Sequence, residues 1–95
     1  MHLDRLSDAV RDLAAGKGGI RSRLKQASIP LWIEDPRRLS NHKEIYDEFM
    51  AIYGELYKDG RRSNDTIDAM SKEKASEIAE RILWLYARVE GIPTP

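Results

Sequence analysis

Residues 14–27, AAGKGGIRSRLKQA, combine the residue types of a phosphate-binding loop, with three glycines around a lysine and three further bases behind them. A P-loop has the pattern Gly-x4-Gly-Lys-Ser/Thr between a strand and a helix, so that glycine N–H groups cradle the phosphate. Here Lys17 lies between glycines, no serine or threonine follows it directly, and a helical pattern precedes it. The sequence therefore indicates a helix–helix turn instead of a nucleotide site.

The bases after this turn have an unusual position. Arg21, Arg23 and Lys25 lie near the N-terminus of the second predicted helix, where the helix dipole disfavours each cation by about 0.3–1 kcal/mol. Together with free N–H groups, they favour an anion or an acidic partner. Salt bridges within the chain, or a solvated charge run, are the alternatives. We predict contacts to a partner or an anion at six bases: Lys17, Arg21, Arg23, Lys25, Arg37 and Arg38.

The distribution of charge suggests a second kind of partner. The 95 residues carry no net charge, with 16 bases and 16 acids, but segment 17–43 holds seven bases against two acids. Nucleic-acid binding through this segment, with Arg61 and Arg62 as an added pair, is therefore the alternative. A dedicated nucleic-acid-binding protein is usually strongly basic, and the last helix has too apolar a stripe for a recognition helix. We therefore favour another protein, or a second copy of this chain, as the partner.

Catalytic and metal chemistry finds little support in the residues. There is no cysteine, and neither His2 nor His42 has a second ligand at helical spacing. Glu44 and Glu48 share a helix face, which is usually a solvated one when no histidine or third ligand joins them. We predict no enzyme activity, no metal and no cofactor.

Aromatic side chains offer two candidate surfaces. Tyr46, Tyr53 and Tyr57 form a stripe with Met50, which either lines a ligand groove or belongs to the core, and we favour the core. Trp84 lies opposite the apolar stripe of the last predicted helix, among charged residues. Tryptophan and arginine are common anchors of protein interfaces. We predict an interface anchor at Leu83, Trp84 and Arg88, unless connector 30–36 or tail 92–95 covers the tryptophan.

Helical periodicity predicts the elements that position these residues. The first helix carries Leu3, Leu6, Val10 and Leu13, and Gly16 should end it in the left-handed conformation. The second helix begins at Gly19 or Ile20, and Pro30 should end or kink it at Ile29. Segment 28–36 is then an apolar connector, with Trp32 and Ile33 over the edge of the core and a turn or a new helix start at Asp35-Pro36.

The second half of the chain contains the longer helices. The third helix should run from Ser40 or Asn41, one of which caps it, to Asp59, with Gly60 as its stop. A short helix at 66–70 follows, capped by Asn64 or Asp65. The last helix spans 72–90, with Ser71 as its cap and Gly91 at its end.

These patterns predict an all-α fold, a small antiparallel bundle of four main helices plus a short helix before the last, as a single domain over residues 1–95. Residues 82–87 form the longest apolar run, which is too short to span a membrane, and the first residues do not resemble a signal peptide. We expect a cytoplasmic, non-enzymatic protein-interaction or regulatory module, with homodimerisation as one of its forms. No motif is specific enough to name a family.

Overall fold

The computed structural model describes residues 1–58 and 63–93, in which the chain forms five α-helices and no strand. The helices are α1 (Asp4–Ala15), α2 (Ile20–Ile33), α3 (Lys43–Leu56), α4 (Ser63–Asp68) and α5 (Lys72–Glu90), with a 3-10 helix at Pro36–Leu39 between α2 and α3. The predicted all-α bundle, with four main helices and a short one before the last, is confirmed.

Side-chain contacts between the long helices establish their directions. Tyr57, the C-cap residue of α3, donates a hydroxyl hydrogen bond to the Ser28 carbonyl of α2 (2.6 Å), and Tyr53 donates to the Trp32 carbonyl (3.4 Å), so these two helices run antiparallel. Three ion pairs join α3 to α5, and the residue numbers rise along α3 as they fall along α5: Glu44–Arg88 (3.7 Å), Glu48–Arg81 (3.0 Å) and Glu55–Lys74 (3.5 Å).

One hydrophobic core is shared by all five helices. The apolar stripe predicted for α5 is buried, except that Tyr86 is only partly covered, and it meets the largest buried ring, Phe49 of α3. The other helices contribute mainly leucine and isoleucine: Leu6 and Leu13 from α1, Leu24 and Leu31 from α2, Ile52 and Leu56 from α3, and Ile67 from α4. Within the described ranges, none of the helices has the length and apolarity that crossing a bilayer requires.

Charged side chains from the α2 segment contact backbone groups at both ends of α1. Its N-cap residue, Leu3, has no side-chain oxygen, and the backbone N–H of Leu6 donates instead to Glu34 Oε1, just beyond α2 (3.3 Å). At the other end, Arg23 Nη1 of α2 donates to the Leu13 carbonyl (3.0 Å). A carboxylate at a helix N-terminus and a cation at its C-terminus both oppose the partial charges of the dipole. The two contacts tie α1 and α2 into an antiparallel pair.

Pro30 does not end α2 at Ile29, which is one of the two effects predicted for it. Helix α2 continues to Ile33, and the Glu34 N–H donates to the Pro30 carbonyl (3.1 Å). A proline this close to a helix end removes only one backbone hydrogen bond near the terminus. The added turn buries Leu31 and carries Glu34 to α1, which offsets that loss. Segment 28–33 is therefore helix, and the connector is shorter than predicted.

The start of α3 also differs from the prediction. The chain begins a 3-10 helix at Pro36, where the Asp35 side chain accepts from the Arg37 N–H (2.9 Å), as the expected new helix start at Asp35-Pro36 requires. This helix and the turn after it take up Ser40 and Asn41, so neither caps α3, which begins at Lys43 after His42. Gly60, the predicted stop, lies outside the described residues, as do Arg61 and Arg62.

The two C-terminal helices follow the sequence pattern more closely. Ser71 caps α5 by accepting from the Lys74 N–H (3.0 Å), and Gly91 is its C-terminal cap, both as predicted. Helix α4 begins at Ser63, three residues before the predicted start, so that Asn64 and Asp65 lie within it instead of capping it.

The turn between α1 and α2 needs glycine for two different reasons. Gly16 has ordinary extended angles (φ −66°, ψ 162°), so the prediction of a left-handed conformation there is wrong. A Cβ on Gly16 would lie 2.3 Å from the Asp12 carbonyl oxygen, so only glycine fits. The positive φ occurs two residues later, at Gly18 (φ 91°), where the chain reverses into α2.

Gly18→Ala should destabilise the protein by about 1 kcal/mol, because alanine is strained at positive φ and its Cβ would meet Ser22 at 2.9 Å. Gly54→Ala is the matched control with the opposite sign. It lies inside α3 with open space around it, so alanine should stabilise by about 0.5–1 kcal/mol through helix propensity. Urea unfolding of the three proteins checks both signs, and a neutral Gly18→Ala would contradict the turn geometry.

Candidate protein-interaction surface

The bases at the N-terminus of α2 contact the C-terminal ends of neighbouring helices. Arg23 donates to the Leu13 carbonyl in the last turn of α1, and Arg21 Nη1 donates to the Met70 carbonyl just after α4 (3.2 Å). Lys25 forms an ion pair with Asp68, the last residue of α4. Helix C-termini attract cations, so these neighbours offset the repulsion that the bases experience from the dipole of α2 itself. Their position is therefore explained by contacts within the chain.

The six predicted contact residues do not form one cluster. Lys17, Arg21, Arg23 and Lys25 lie around the first half of α2, while Arg37 and Arg38 lie in the 3-10 helix after its other end. The run of α2 from Arg21 to Ile33 is about 18 Å long. Arg37 forms a bidentate pair with Asp35 (3.0 and 3.1 Å), which lowers the pKa of that carboxyl, mainly through the side-chain hydrogen bond.

The turn that resembles a phosphate loop borders an open depression of about 560 Å³. Its walls include the bases Arg11 and Lys17 and also Asp12, whose carboxylate would repel an anion, while Ser22 and Gln26 already have hydrogen-bond partners. Ser22 Oγ donates to the Lys17 carbonyl (3.0 Å), and Gln26 Nε2 donates to the same oxygen (2.9 Å). These hydrogen bonds hold the turn together, so the depression is not arranged as a phosphate cradle.

The predicted anchor on α5 is exposed, but Leu83 points in a different direction from Trp84 and Arg88, which share one helix face. Trp84 is 68% exposed and Leu83 43% exposed, so neither connector 30–36 nor the described part of the tail covers the tryptophan. Successive helix residues are turned by about 100°, which separates these two side chains on the surface of α5. Arg88 is engaged with Glu44 of α3. On its own face of α5, Trp84 is therefore a single large apolar side chain among charged residues.

A larger apolar surface lies on the last two turns of α2. Ile29, Trp32 and Ile33 are 65%, 57% and 56% exposed, so the prediction that Trp32 and Ile33 lie over the core edge is wrong. Their spacing of three and four residues places them on one helix face. The Trp32 ring stacks on Tyr53 of α3 (centroids 5.4 Å apart), and exposed Met50 lies one turn before Tyr53. We call this surface the Trp32 face: Ile29, Trp32, Ile33, Met50 and Tyr53.

Aromatic contacts beneath the Trp32 face hold it in position. Tyr57 meets Trp32 edge to face (4.8 Å between centroids) and lies against Tyr53 (4.4 Å). Tyr46, Tyr53 and Tyr57 all pack against the core, with Tyr53 and Tyr57 bonded to α2 carbonyls. Burial raises the pKa of the Tyr57 hydroxyl far above its ordinary value, and that of Tyr53 to a smaller extent. Both rings are therefore neutral, rigid supports for Trp32 at physiological pH.

Sequence reasoning missed this surface because it ended α2 at Pro30. Extending the helical projection past the proline places Leu31 on the buried stripe of Leu24 and Ala27, with Ile29 and Ile33 far from it. The residues therefore contained the helical pattern of this surface. They did not indicate whether segment 30–33 forms a connector or continues the helix.

The two histidines and the acidic side chains are the remaining candidates for metal binding. Among residues 1–58 and 63–93, no three metal-ligating side chains come together. His2 lies between Asp4 (3.2 Å) and Glu90 (2.7 Å), and His42 borders an open depression of about 270 Å³ with Arg88.

Comparison of the chain with models of protein families, with curated proteins and with solved structures finds no match.

Arg23→Met should lower the free energy of unfolding by about 1–2 kcal/mol, because it removes a charged hydrogen bond from the C-terminus of α1. Arg38→Met, at an exposed position, should change it by less than about 0.5 kcal/mol. Chemical denaturation of both variants at equal ionic strength tests the assignment. Equal effects of the two substitutions would show that Arg23 acts only as surface charge.

Tyr57→Phe should cost about 1–2 kcal/mol at neutral pH by leaving the Ser28 carbonyl without its donor. The folded protein keeps Tyr57 protonated above its ordinary pKa of 10.0, whereas the unfolded chain loses that proton. Stability linked to Tyr57 is thus complete below pH 10 and declines as the pH rises beyond it.

The difference in unfolding free energy between wild type and Tyr57→Phe should therefore narrow above pH 10. This difference should fall by less than ~1.4 kcal/mol per pH unit, which is the slope for a group that ionises only in the unfolded chain. The slope is smaller here because the Tyr57 ring is partly exposed. Urea titrations of the two proteins at matched pH values measure it. A constant difference across this range would contradict the burial of the Tyr57 hydroxyl.

Proposed function

We propose that this chain is a non-catalytic protein-interaction module that binds its partner through the Trp32 face. The exposure of three large apolar side chains on one face of α2 carries the proposal. Burying such a side chain contributes about 1.5–3 kcal/mol, and these three remain more than half exposed. Contiguous apolar surface of this kind is typical of interaction sites.

The tyrosine contacts that hold Trp32 in position favour a binding role for the Trp32 face. A tryptophan held by stacking and edge contacts loses little conformational freedom when a partner covers it. The backbone beneath it is fixed by two tyrosine hydroxyls. A rigid aromatic anchor beside two aliphatic side chains resembles the centre of a protein interface.

Nucleic-acid binding is the less supported proposal. Of the six bases that would contact phosphates, Arg21 and Arg23 donate to backbone carbonyls, and Lys25 and Arg37 pair with carboxylates. A phosphate would have to compete with each of these contacts. The Trp84 surface is likewise a smaller candidate for a protein partner, because Leu83 points elsewhere and Arg88 pairs with Glu44.

Site-specific photo-crosslinking in living cells tests the proposed function. A benzophenone amino acid at position 33 should give discrete adducts with another protein chain. The same group at position 72, exposed at the start of α5, should give none. An additional Ile29→Ser change should remove the adducts while altering stability by less than about 0.5 kcal/mol, since Ile29 is exposed.

Three results would count against the proposed interaction module. Equal adducts from positions 33 and 72 would indicate random collision, and no adducts from position 33 would leave the Trp32 face without a partner. Strong destabilisation by Ile29→Ser would assign the residue to folding instead of binding.

A further inference from the structure

We infer that the occupant of the Trp32 face is an acidic amphipathic helix from another protein. This inference rests on the proposed function and adds the chemistry of the partner. Apolar contacts supply the attraction, while charged residues around the face select the sign of the partner's charge.

The outer ridge of α2 joins bases to the apolar face without interruption. Arg21, Lys25, Ile29 and Ile33 follow one another at four-residue intervals, so they form a continuous row along the helix surface. Trp32 lies beside the apolar end of this row. A helix that lies along the ridge therefore meets two bases first and two isoleucines after them.

A second pair of bases lies beyond the other end of the ridge. Arg37 and Arg38 follow α2 in the 3-10 helix, and both are exposed. Asp68 and Asp35 neutralise Lys25 and Arg37, while Arg21 and Arg38 have no carboxylate within ion-pair distance among the described residues. Along the chain, the α2 residues of the Trp32 face thus lie between two cations, Arg21 and Arg38, that form no ion pair among the described residues.

This arrangement opposes pairing with a second copy across a twofold axis. In an isologous interface each copy presents the same surface, so an antiparallel α2 pair would set Arg21 against Arg38 of the other copy. A parallel pair would set each base against itself. Like charges meet in both cases, and their repulsion opposes this pairing, whereas an acidic partner gains the same apolar contacts without it.

A head-to-tail contact between copies is also disfavoured. The outer side of α5 carries Glu73, Glu77 and Glu80 before Trp84, which complements the ridge of α2 in charge. That contact uses different surfaces on each copy and leads to open chains unless its rotation closes a ring. A separate acidic helix satisfies the same complementarity and ends the assembly at one partner.

The dimensions set the length of the partner helix. The row from Arg21 to Ile33 is about 18 Å long, and Arg38 follows it along the chain, so a helix of about 15 residues is long enough to cover the row. Apolar side chains at i, i+3, i+4 and i+7 match Ile29, Trp32 and Ile33, and glutamates at both ends reach the two cations.

A capped synthetic helix of about 15 residues, with leucines in that pattern and glutamates at the remaining positions, is the probe. In the Trp84→Phe protein, Trp32 is the only tryptophan, so its emission reports the face directly. Titration with the acidic peptide should shift this emission to the blue with a dissociation constant in roughly the micromolar range. The same peptide with lysine in place of glutamate should bind at least ~10-fold more weakly at low salt.

Matched variants separate charge from apolar contact. Arg21→Gln with Arg38→Gln should reduce the preference for the acidic peptide to less than about 3-fold, and Arg11→Gln on α1 should leave it unchanged. Ile33→Ser should abolish binding of both peptides. Raising the salt concentration should reduce the preference, because screening weakens the ionic term.

The alternative occupants of the Trp32 face predict different results in these titrations. Any of the following results would overturn the inference. Equal binding of the acidic and lysine peptides would show that charge does not select the partner. A blue shift with vesicles containing about a third phosphatidylserine, and none with the peptide, would assign a membrane surface. A shift that follows protein concentration without peptide would assign a second copy. Crosslinks from position 33 that persist when the acidic peptide fails would refute the partner chemistry and leave the proposed function standing.

Discussion

The capping of α1 by α2 is the constraint from which much of this structure follows. Helix α1 has no side-chain cap of its own, and its two ends meet Glu34 and Arg23, which lie eleven positions apart along the chain. A carboxylate and a cation at these places oppose the helix dipole and satisfy backbone groups that have no partner within α1. Both contacts form only if α2 lies antiparallel to α1 and extends its full length.

The extension of α2 past Pro30 produces the candidate surface. Glu34 reaches the N-terminus of α1 because the helix continues through one further turn, and this turn carries Trp32 and Ile33 with it. The buried side of the turn is occupied by Leu31, so the other side chains face outward. The exposed apolar face and the capped helix are therefore two consequences of the same helical turn.

The bases of α2 show how a local electrostatic cost is offset by tertiary structure. Within α2 alone, the position near its N-terminus is unfavourable for Arg21, Arg23 and Lys25, because the helix dipole repels cations there. In the folded chain the C-terminal ends of α1 and α4 lie beside them and accept their hydrogen bonds or supply a carboxylate. A cluster of bases in the sequence can therefore reflect contacts with the C-terminal ends of neighbouring helices as well as contacts with a partner.

Periodicity and capping chemistry act over a few residues, so the helical class, the number of main helices, the buried stripe of α5 and the cap at Ser71 could all be predicted from the residues alone. The glycine turn was also visible, although its left-handed residue is Gly18 instead of Gly16. The extension of α2 past Pro30 and the exposure of Trp32 are visible only in the folded chain. They depend on the contact of Glu34 with α1 and on the hydrogen bonds from Tyr53 and Tyr57 to α2, which join residues more than twenty positions apart that no local pattern records.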